Sequence, residues 1–200
     1  MKSLAGKSLF VELLVAFCVV ALIALAEPLA AQDDPPSIIT QPESQTVLVG
    51  DSFSFSVVVT DPDAASYQWR KNGSNLSDAD GVSFGATEAA YSKYEAVVSD
   101  AGLYTVKITN SAGAITSAVA TLTVLVPPAI TTQPQSKTVI AGSNVTLFVK
   151  ATGSAPLGYQ WFVDNVEIPG ATATNLTLLN VQPGQEGDYT VAVTNAAHSL

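Results

Sequence analysis

Asp100-Ala-Gly-Leu-Tyr104-Thr-Val-Lys-Ile-Thr-Asn110 is the stretch that decides the fold, and it returns as Gln185-Glu-Gly-Asp-Tyr189-Thr-Val-Ala-Val-Thr-Asn195. In both copies a tight turn with Gly at its third position leads into alternating apolar residues. These are Tyr104, Val106 and Ile108 in the first copy, and Tyr189, Val191 and Val193 in the second. A period of two puts such side chains on one face of an extended chain, so each copy reads as a turn feeding a half-buried β-strand.

The repetition extends outward on both sides. Pro35-Pro36-Ser-Ile38-Ile-Thr-Gln41-Pro42 matches Pro127-Pro128-Ala-Ile130-Thr-Thr-Gln133-Pro134, and Thr46-Val-Leu-Val-Gly50 matches Thr138-Val-Ile-Ala-Gly142. The offset is 92 residues from Gln41/Gln133 through Trp69/Trp161, and 85 at Tyr104/Tyr189 and Asn110/Asn195. Seven extra residues therefore lie between Trp and Tyr of the first copy, in the turn-rich segment Leu76–Ala86, which reads as a longer loop. Phe53, Phe55, Val57 and Val59 alternate on one face, as do Val145, Leu147 and Val149. Tyr67-Gln-Trp69 and Tyr159-Gln-Trp161 are short strands with a large inward aromatic, and Leu122 and Val124 share the inward parity of a last strand. Short strands separated by Gly, Pro, Asn and Asp clusters define an all-β chain of two sandwiches.

Apolar residues make up 48% of the chain and charged ones 12%, enough for two packed cores. The net charge of −9, with no basic stripe, excludes a nucleic-acid partner. Its simplest physical meaning is solubility outside the cell. Residues 1–31 have the layout of a secretory signal peptide: Lys2 and Lys7, the uncharged run Leu13–Ala26, then small residues at Ala24, Ala26, Ala30 and Ala31. Cleavage is expected after Ala31, with Ala26 the second choice. Glu12 interrupts the longer apolar run that a retained membrane anchor needs. Membrane contact is thus expected only through this segment before cleavage. The single cysteine, Cys18, lies inside it, and Phe17 stands where a lipid-attachment signal needs a small residue. The mature chain is expected to have no disulfide. The domains then run 37–126 and 129–200.

Chemistry-bearing constellations are sparse. His198 is the only histidine, so a His-dependent nucleophilic triad is excluded. Asp61-Pro-Asp63, Asp78-Ala-Asp80-Gly and the pair Asp33-Asp34 resemble fragments of a calcium loop but lack its regular ligand spacing and terminal Glu. They read as turn-forming Asp in surface loops. No pair of acids is brought to one cleft, and no Gly-rich loop opens a helix. Asn72, Asn75, Asn144 and Asn175 begin Asn-x-Ser/Thr triplets, acceptors only in a eukaryotic secretory pathway. Tyr67, Tyr159 and the two Trp residues invite a sugar-platform reading, but their place in the inward strand favours core packing. No catalytic, cofactor-binding or metal-ligating residue is expected.

Each repeat has Pro near its start, a Gly (Gly50, Gly142) closing its second segment and a Trp in a Tyr-x-Trp strand. Asp100-Ala-Gly-Leu-Tyr104 completes the set in the first. Together these resemble an immunoglobulin-like domain of the I-set type, and in particular the cysteine-free tandem copies of large secreted bacterial proteins. The resemblance implies Greek-key sandwiches with structural cores built on Trp69, Tyr104, Val57 and Val106, and on Trp161, Tyr189, Val149 and Val191. Val57/Val106 and Val149/Val191 stand where the family places its inter-sheet cysteines. A disulfide there contributes about 2–4 kcal/mol, whereas each buried Val contributes about 1.5–3 kcal/mol. Tyr104 and Tyr189 become tyrosine-corner residues.

Three departures carry expectations. Lys93 falls inward where the second repeat has Leu178, which calls either for Tyr91 and Tyr94 to repack the strand through a bulge or for a locally irregular edge. Gln185 replaces Asp100, leaving the second turn without the Asp that would cap it. Nothing after Asn195 corresponds to Asn110–Val124, so the second sandwich lacks its last strand, and the chain reads as the N-terminal part of a longer protein.

The implied function is a non-enzymatic extracellular or cell-surface scaffold or adhesion module with an unspecified protein or polysaccharide ligand. Val126-Pro-Pro-Ala129 is short and stiff, which implies a semi-rigid rod. Any ligand is expected at the loops of the sandwich ends. The alternative is an accessory carbohydrate- or receptor-binding module of a secreted enzyme, favoured if Phe84 and Tyr91 are exposed. A third reading is stacking into layers or filaments through edge strands.

Overall fold

The computed structural model describes residues 34–60, 62, 65–78 and 80–197. The leader at 1–31, Cys18, Asp33, Asp61, Asp63 and His198 lie outside the described residues.

The first repeat opens with β1 (Ile38–Thr40), β2 (Gln45–Leu48), β3 (Phe53–Ser56), β4 (Val58–Val59) and β5 (Ser66–Lys71). Next come β6 (Ser74–Asn75), β7 (Ser83–Phe84), β8 (Ala90–Lys93), β9 (Gly102–Asn110), β10 (Gly113–Thr116) and β11 (Ala120–Leu125). One sheet has the order β2-β11-β9-β5-β6, with β10 also on β9; the facing sheet is β3-β8-β7, and β1 pairs with β4. The nine-residue β9 is the hub. On one side it places Val106 opposite Trp69 of β5; on the other, Tyr104 opposite Ala120 of β11 and Ile108 opposite Ile115 of β10. β2 completes this sheet by running parallel to β11, Gln45 opposite Leu122 and Leu48 opposite Leu125.

The alternation read from the sequence becomes the core. Phe53 and Phe55 of β3, with Val57 just after it and Val59 of β4, pack on Trp69, Tyr104, Val106, Ile108, Leu122 and Val124 of the other sheet. The Phe55 ring lies 4.8 Å from Tyr104 and 6.1 Å from Trp69. Polar atoms carried inward are satisfied: Trp69 Nε1–H donates to the Glu88 carbonyl (3.0 Å) and the Tyr104 hydroxyl to the Asp100 carbonyl (2.8 Å). Gln68 donates to the carbonyls of Trp69 and Leu76, pinning the β5–β6 hairpin. That hairpin turns through Asn72 and Gly73, both at positive φ (50° and 85°), as a two-residue loop matching the strand twist requires.

Two expectations are corrected here. The 76–86 segment is more than a loop, because it supplies β7, an added edge strand on β8. Tyr91 is buried, facing Phe55 across the β3–β8 ladder, because strand parity turns it inward.

The second repeat forms β12 (Ala129–Thr132), β13 (Val145–Phe148), β14 (Lys150–Thr152) and β15 (Gly158–Val163). β16 (Val166–Glu167), β17 (Asn175–Leu178) and β18 (Tyr189–Thr194) follow. The sheets are β16-β15-β18, β13-β17 and β12-β14. Each internal device recurs: Trp161 Nε1–H donates to the Ala173 carbonyl (2.9 Å), the position equivalent to Glu88, and Gln160 donates to the carbonyls of Trp161 and Ile168. Among the described residues no strand lies along the outer edge of β18. Residues 138–141 are consequently not a strand, although their counterparts lie in and next to β2. The partner of β2 is β11, and the described part of the second repeat has no equivalent.

Removing the buried tyrosine hydroxyl tests the frame. Tyr104→Phe is expected to lower stability by about 1 kcal/mol in denaturant unfolding. Tyr189→Phe, whose ring is half-buried, should cost less. An unchanged unfolding midpoint for Tyr104→Phe would contradict a structural role for that bond.

Candidate functional site

Of the eight residues singled out from the sequence, Trp69, Val57, Val106 and Tyr104 lie in one buried cluster. Trp161 and Val149 are buried in a second, with Tyr189 and Val191 packed half-buried against it. They build the domain interiors. The groups able to meet a ligand lie elsewhere, mainly in and around the insertion of the first domain.

Lys93 illustrates how that region is organised. The β3–β8 register runs unbroken up to it, ending with Lys93 opposite Phe53, so the expected bulge does not form within that ladder. Instead its Nζ donates to Asp100 Oδ1 at 2.9 Å and lies 3.5 Å from Asp80 Oδ2. Burial works to lower the lysine pKa, but the Asp100 hydrogen bond and the two carboxylate charges outweigh it and hold it above its usual value. The amine stays an ammonium and is unsuited to nucleophilic chemistry. Asp100 serves three groups at once: Lys93, the Val97 N–H (2.8 Å to Oδ2) and the Tyr104 hydroxyl through its carbonyl.

In the second domain the same frame is neutral. Leu178 replaces Lys93, and Gln185 Oε1 accepts the Gln182 N–H at 2.9 Å while its carbonyl accepts the Tyr189 hydroxyl at 2.8 Å. The expected loss of the turn cap is therefore corrected: glutamine performs it, since its side-chain oxygen reaches the same backbone donor. The cation and the anion are exchanged for neutral residues together, as partial burial of the pair demands.

The insertion's own carboxylates also serve the backbone. Asp78 accepts the N–H groups of Gly85 and Ala86, each at 3.0 Å. Asp80 accepts those of Val82 (3.1 Å) and Ser83 (2.7 Å) and the Ser83 hydroxyl (2.7 Å). The Ser83 hydroxyl first, then the two N–H groups and Lys93, hold the Asp80 carboxyl at about 2 against its ordinary 3.8. These are turn-forming aspartates. Among the described residues no group of three His, Cys, Asp or Glu side chains is placed to hold a metal.

Among its exposed residues the insertion presents one large ring, which meets a second from the strand beside it. Phe84 of β7 is 48% exposed and Tyr94, just past β8, is 58% exposed. Their rings meet edge-to-face, centroids 5.6 Å apart at 62°. Beside them the outer face of this sheet carries small polar residues, Ser92 Oγ bonding Ser54 Oγ at 2.9 Å. Tyr94, expected from the sequence to help repack the strand at Lys93, instead stands outside, where the alternation that turns Tyr91 and Lys93 inward puts it. A shallow groove of about 250 Å³ between Thr40–Gln45 and Ser54–Ser56 is lined by polar groups, one of which, the Gln45 amide, already donates to the Ser54 carbonyl.

Two outcomes test these electrostatics. Asp100→Ala should destabilise the first domain by about 1.5–3 kcal/mol, because it removes the hydrogen-bond partner of a part-buried ammonium and leaves it only Asp80, 3.5 Å away. The paired exchange Lys93→Leu with Asp100→Gln, which copies the second domain, should lose far less; additive losses in the double-mutant cycle would refute the coupling. Asp80, with its folded pKa depressed, contributes stability above about pH 3.8 that is lost as pH falls through about 2. Protection of the Val82 and Ser83 amides, taken relative to their intrinsic exchange at each pH, should fall over that interval, and Asp80→Asn should abolish that change.

Comparison with known proteins agrees with this geometry. The immunoglobulin-domain family model matches residues 35–110 and 127–195. Hemicentin-2 of Mus musculus is 30% identical over 173 residues, which is 82% of this chain and 3% of that protein. The titin fragment I67–I69 superposes with a TM-score of 0.69 at 24% identity, covering 84% of this chain and 64% of that one. Dpr11 IG1 bound to DIP-gamma gives 0.65 at 19% identity, covering 84% and 95%. Further relatives come from Homo sapiens and Caenorhabditis elegans, so the kinship reaches animal proteins, outside the bacterial setting that the sequence resemblance implied. With two matched segments spanning most of its length, on a pair of Trp- and Tyr-centred sandwiches, the chain belongs to the immunoglobulin domain family.

Proposed function

We propose that the chain is a non-enzymatic extracellular or cell-surface scaffold and adhesion module that binds a protein partner through the outer face of the β3-β8-β7 sheet. The exposed Phe84–Tyr94 pair carries this reading. Two large rings beside a flat serine-lined face form an anchor of the kind that dominates protein contacts. The polar side chains around them (Asp78, Asp80, Lys93, Asp100) are spent within the fold, which argues against catalysis.

The family supports the same direction, since the Dpr11–DIP-gamma structure is itself a protein complex. Export through the leader at 1–31, domain limits of 37–126 and 129–200, and membership of a longer multidomain protein belong to this proposal. So does assignment to the cysteine-free kind, with Val57/Val106 and Val149/Val191 in place of the inter-sheet disulfide. It is supported by the position of Cys18 outside both matched segments. Among the described residues no helix is long and apolar enough to cross a membrane.

A semi-rigid link between the domains is part of the reading. Val126 N–H donates to Ser154 Oγ (2.8 Å), and its carbonyl accepts the Ser154 N–H (3.0 Å) and the Asn195 amide (2.8 Å). The first domain repeats the device, Asn110 donating to the Asp34 carbonyl at 2.7 Å. Exposure of Phe84 also favours the carbohydrate-binding alternative, but rings at 62° to each other offer no common plane on which a sugar chain can lie.

The test is a binding screen of the chain against arrays of extracellular proteins and of glycans, repeated with Phe84→Ser/Tyr94→Ser. A protein hit weakened about tenfold or more by the double substitution, with the melting temperature unchanged, is the expected result. Hits confined to glycans, or protein binding indifferent to the substitution, would reject this surface.

A further inference from the structure

The sheet that carries Phe84 and Tyr94 is wider than its three-strand ladder, and its far corner is apolar as well. The Val57 N–H donates to the Ala89 carbonyl (3.0 Å), whereas the Thr60 N–H donates to the Ser37 carbonyl (3.0 Å). Backbone donors three residues apart on an extended chain point to opposite edges, so β8 and β1 flank the continuous run of β3 and β4 on opposite sides. The register of β1 also slips between Ile38 and Thr40, which sets Ile39 and Thr40 together against Val58. Such a bulge re-aims the extra side chain, here onto the face of the residue it opposes. Ile38 stays with the core, while Ile39 (65% exposed) joins Val58 (50% exposed) outside.

Between the two corners lies a floor of small side chains, Ser54, Ser56, Ala90 and Ser92. Phe84 pairs with Ser92, and Ser92 with Ser54, at the start of β3, whereas Val58 lies past its end; the aromatic and aliphatic corners are therefore diagonal. Neither the corners nor the floor carries a charge, in a chain of net charge −9. The second domain repeats this strand frame without the feature. Thr131 and Lys150 stand where the first domain has Ile39 and Val58, and Phe148, opposite Asn175 as Ser56 is opposite Ala90, rises from the middle of the floor. Phe84 belongs to the insertion that the second domain lacks.

We propose that this face binds a second copy of the same chain, with Phe84 and Tyr94 of each copy seated on Ile39 and Val58 of the other. The inference rests on the adhesion face proposed above and names its partner. An isologous contact needs a patch complementary to itself. Two apolar corners on opposite sides of a flat floor meet that condition, because a two-fold axis lying between the faces and across the diagonal exchanges one corner for the other. The small floor lets the two sheets approach until the corners touch. Its lack of charge matters as much, since copies of a strongly acidic chain can meet closely only where no carboxylate faces a carboxylate. About six residues at ~3.4 Å along the strands and about four strands at ~4.8 Å make a face of roughly 20 Å by 15–20 Å. Two such faces bury less than about 1,200 Å² together, which makes the contact weak and transient. Many chains displayed side by side would strengthen it through multivalency.

The test follows the isotope-labelled full chain from about 10 μM to about 1 mM. Concentration-dependent shifts are expected at the amides of Ile39, Ser54, Phe84 and Ser92, with sedimentation reporting a dimer. Two variants then separate the corners, Ile39→Lys/Val58→Lys and Phe84→Glu/Tyr94→Glu. All four side chains are exposed, and Lys150 shows that the frame carries lysine at the position of Val58; unchanged melting temperatures would verify both folds. Each variant alone should self-associate at least about tenfold more weakly, since its altered corner enters both contacts of the dimer. An equimolar mixture should recover association, because one contact is then that of the original chain and the other sets Lys against Glu. No concentration dependence up to about 1 mM would overturn the proposal, whereas capture of a different protein through Phe84 and Tyr94 would leave the adhesion face standing. Shifts confined to another surface, association indifferent to both variants, or no recovery on mixing would overturn it as well.

Discussion

The ladder that β9 makes on both of its edges is the constraint from which the first domain follows. A strand bonded on one edge to β5 and on the other to β11 and β10 must sit mid-sheet. Its alternate residues Tyr104, Val106 and Ile108 must then face the opposing sheet. Trp69 is held against them by the β5 register and by its indole bond to the Glu88 carbonyl, and the Tyr104 hydroxyl ties the strand back to the turn that launched it. With backbone and aromatic polar groups satisfied, the interior can be apolar. Val57 and Val106 are buried within it, the dominant favourable term being burial of apolar surface.

The second domain shows the same constraint with one edge withdrawn. β18 keeps its ladder to β15 and its tyrosine bond to the turn, yet Tyr189 and Val191 are half-exposed. Residues 138–141, whose sequence is as strand-like as that of β2, likewise have no strand partner among the described residues. Strand formation here is a property of the pair of segments, since an unpaired extended segment gains no ladder bonds to offset its ordering entropy.

Much of the fold was legible because period-two alternation survives translation into structure almost residue by residue. Phe53, Phe55, Val57, Val59, Leu122 and Val124 are buried where parity puts them. Parity put Lys93 inward but could not name the partner that makes an inward charge tolerable, because that partner, Asp100, lies across a turn. The aromatic contact surface was half legible. Phe84 stood out in a turn-rich segment, but its neighbour Tyr94 is defined only once β7 pairs with β8 and brings the two rings together.

By itself the sequence determined the all-β class, the two repeats, the inward aromatic of each and the absence of cysteine from both domains, since all of these are carried by local alternation and by composition. Only the tertiary structure decided that Lys93 and Asp100 neutralise each other and that Tyr91 is core while Phe84 and Tyr94 are surface. Each depends on which distant segments become neighbours, and the hydrogen-bond register between strands sets that.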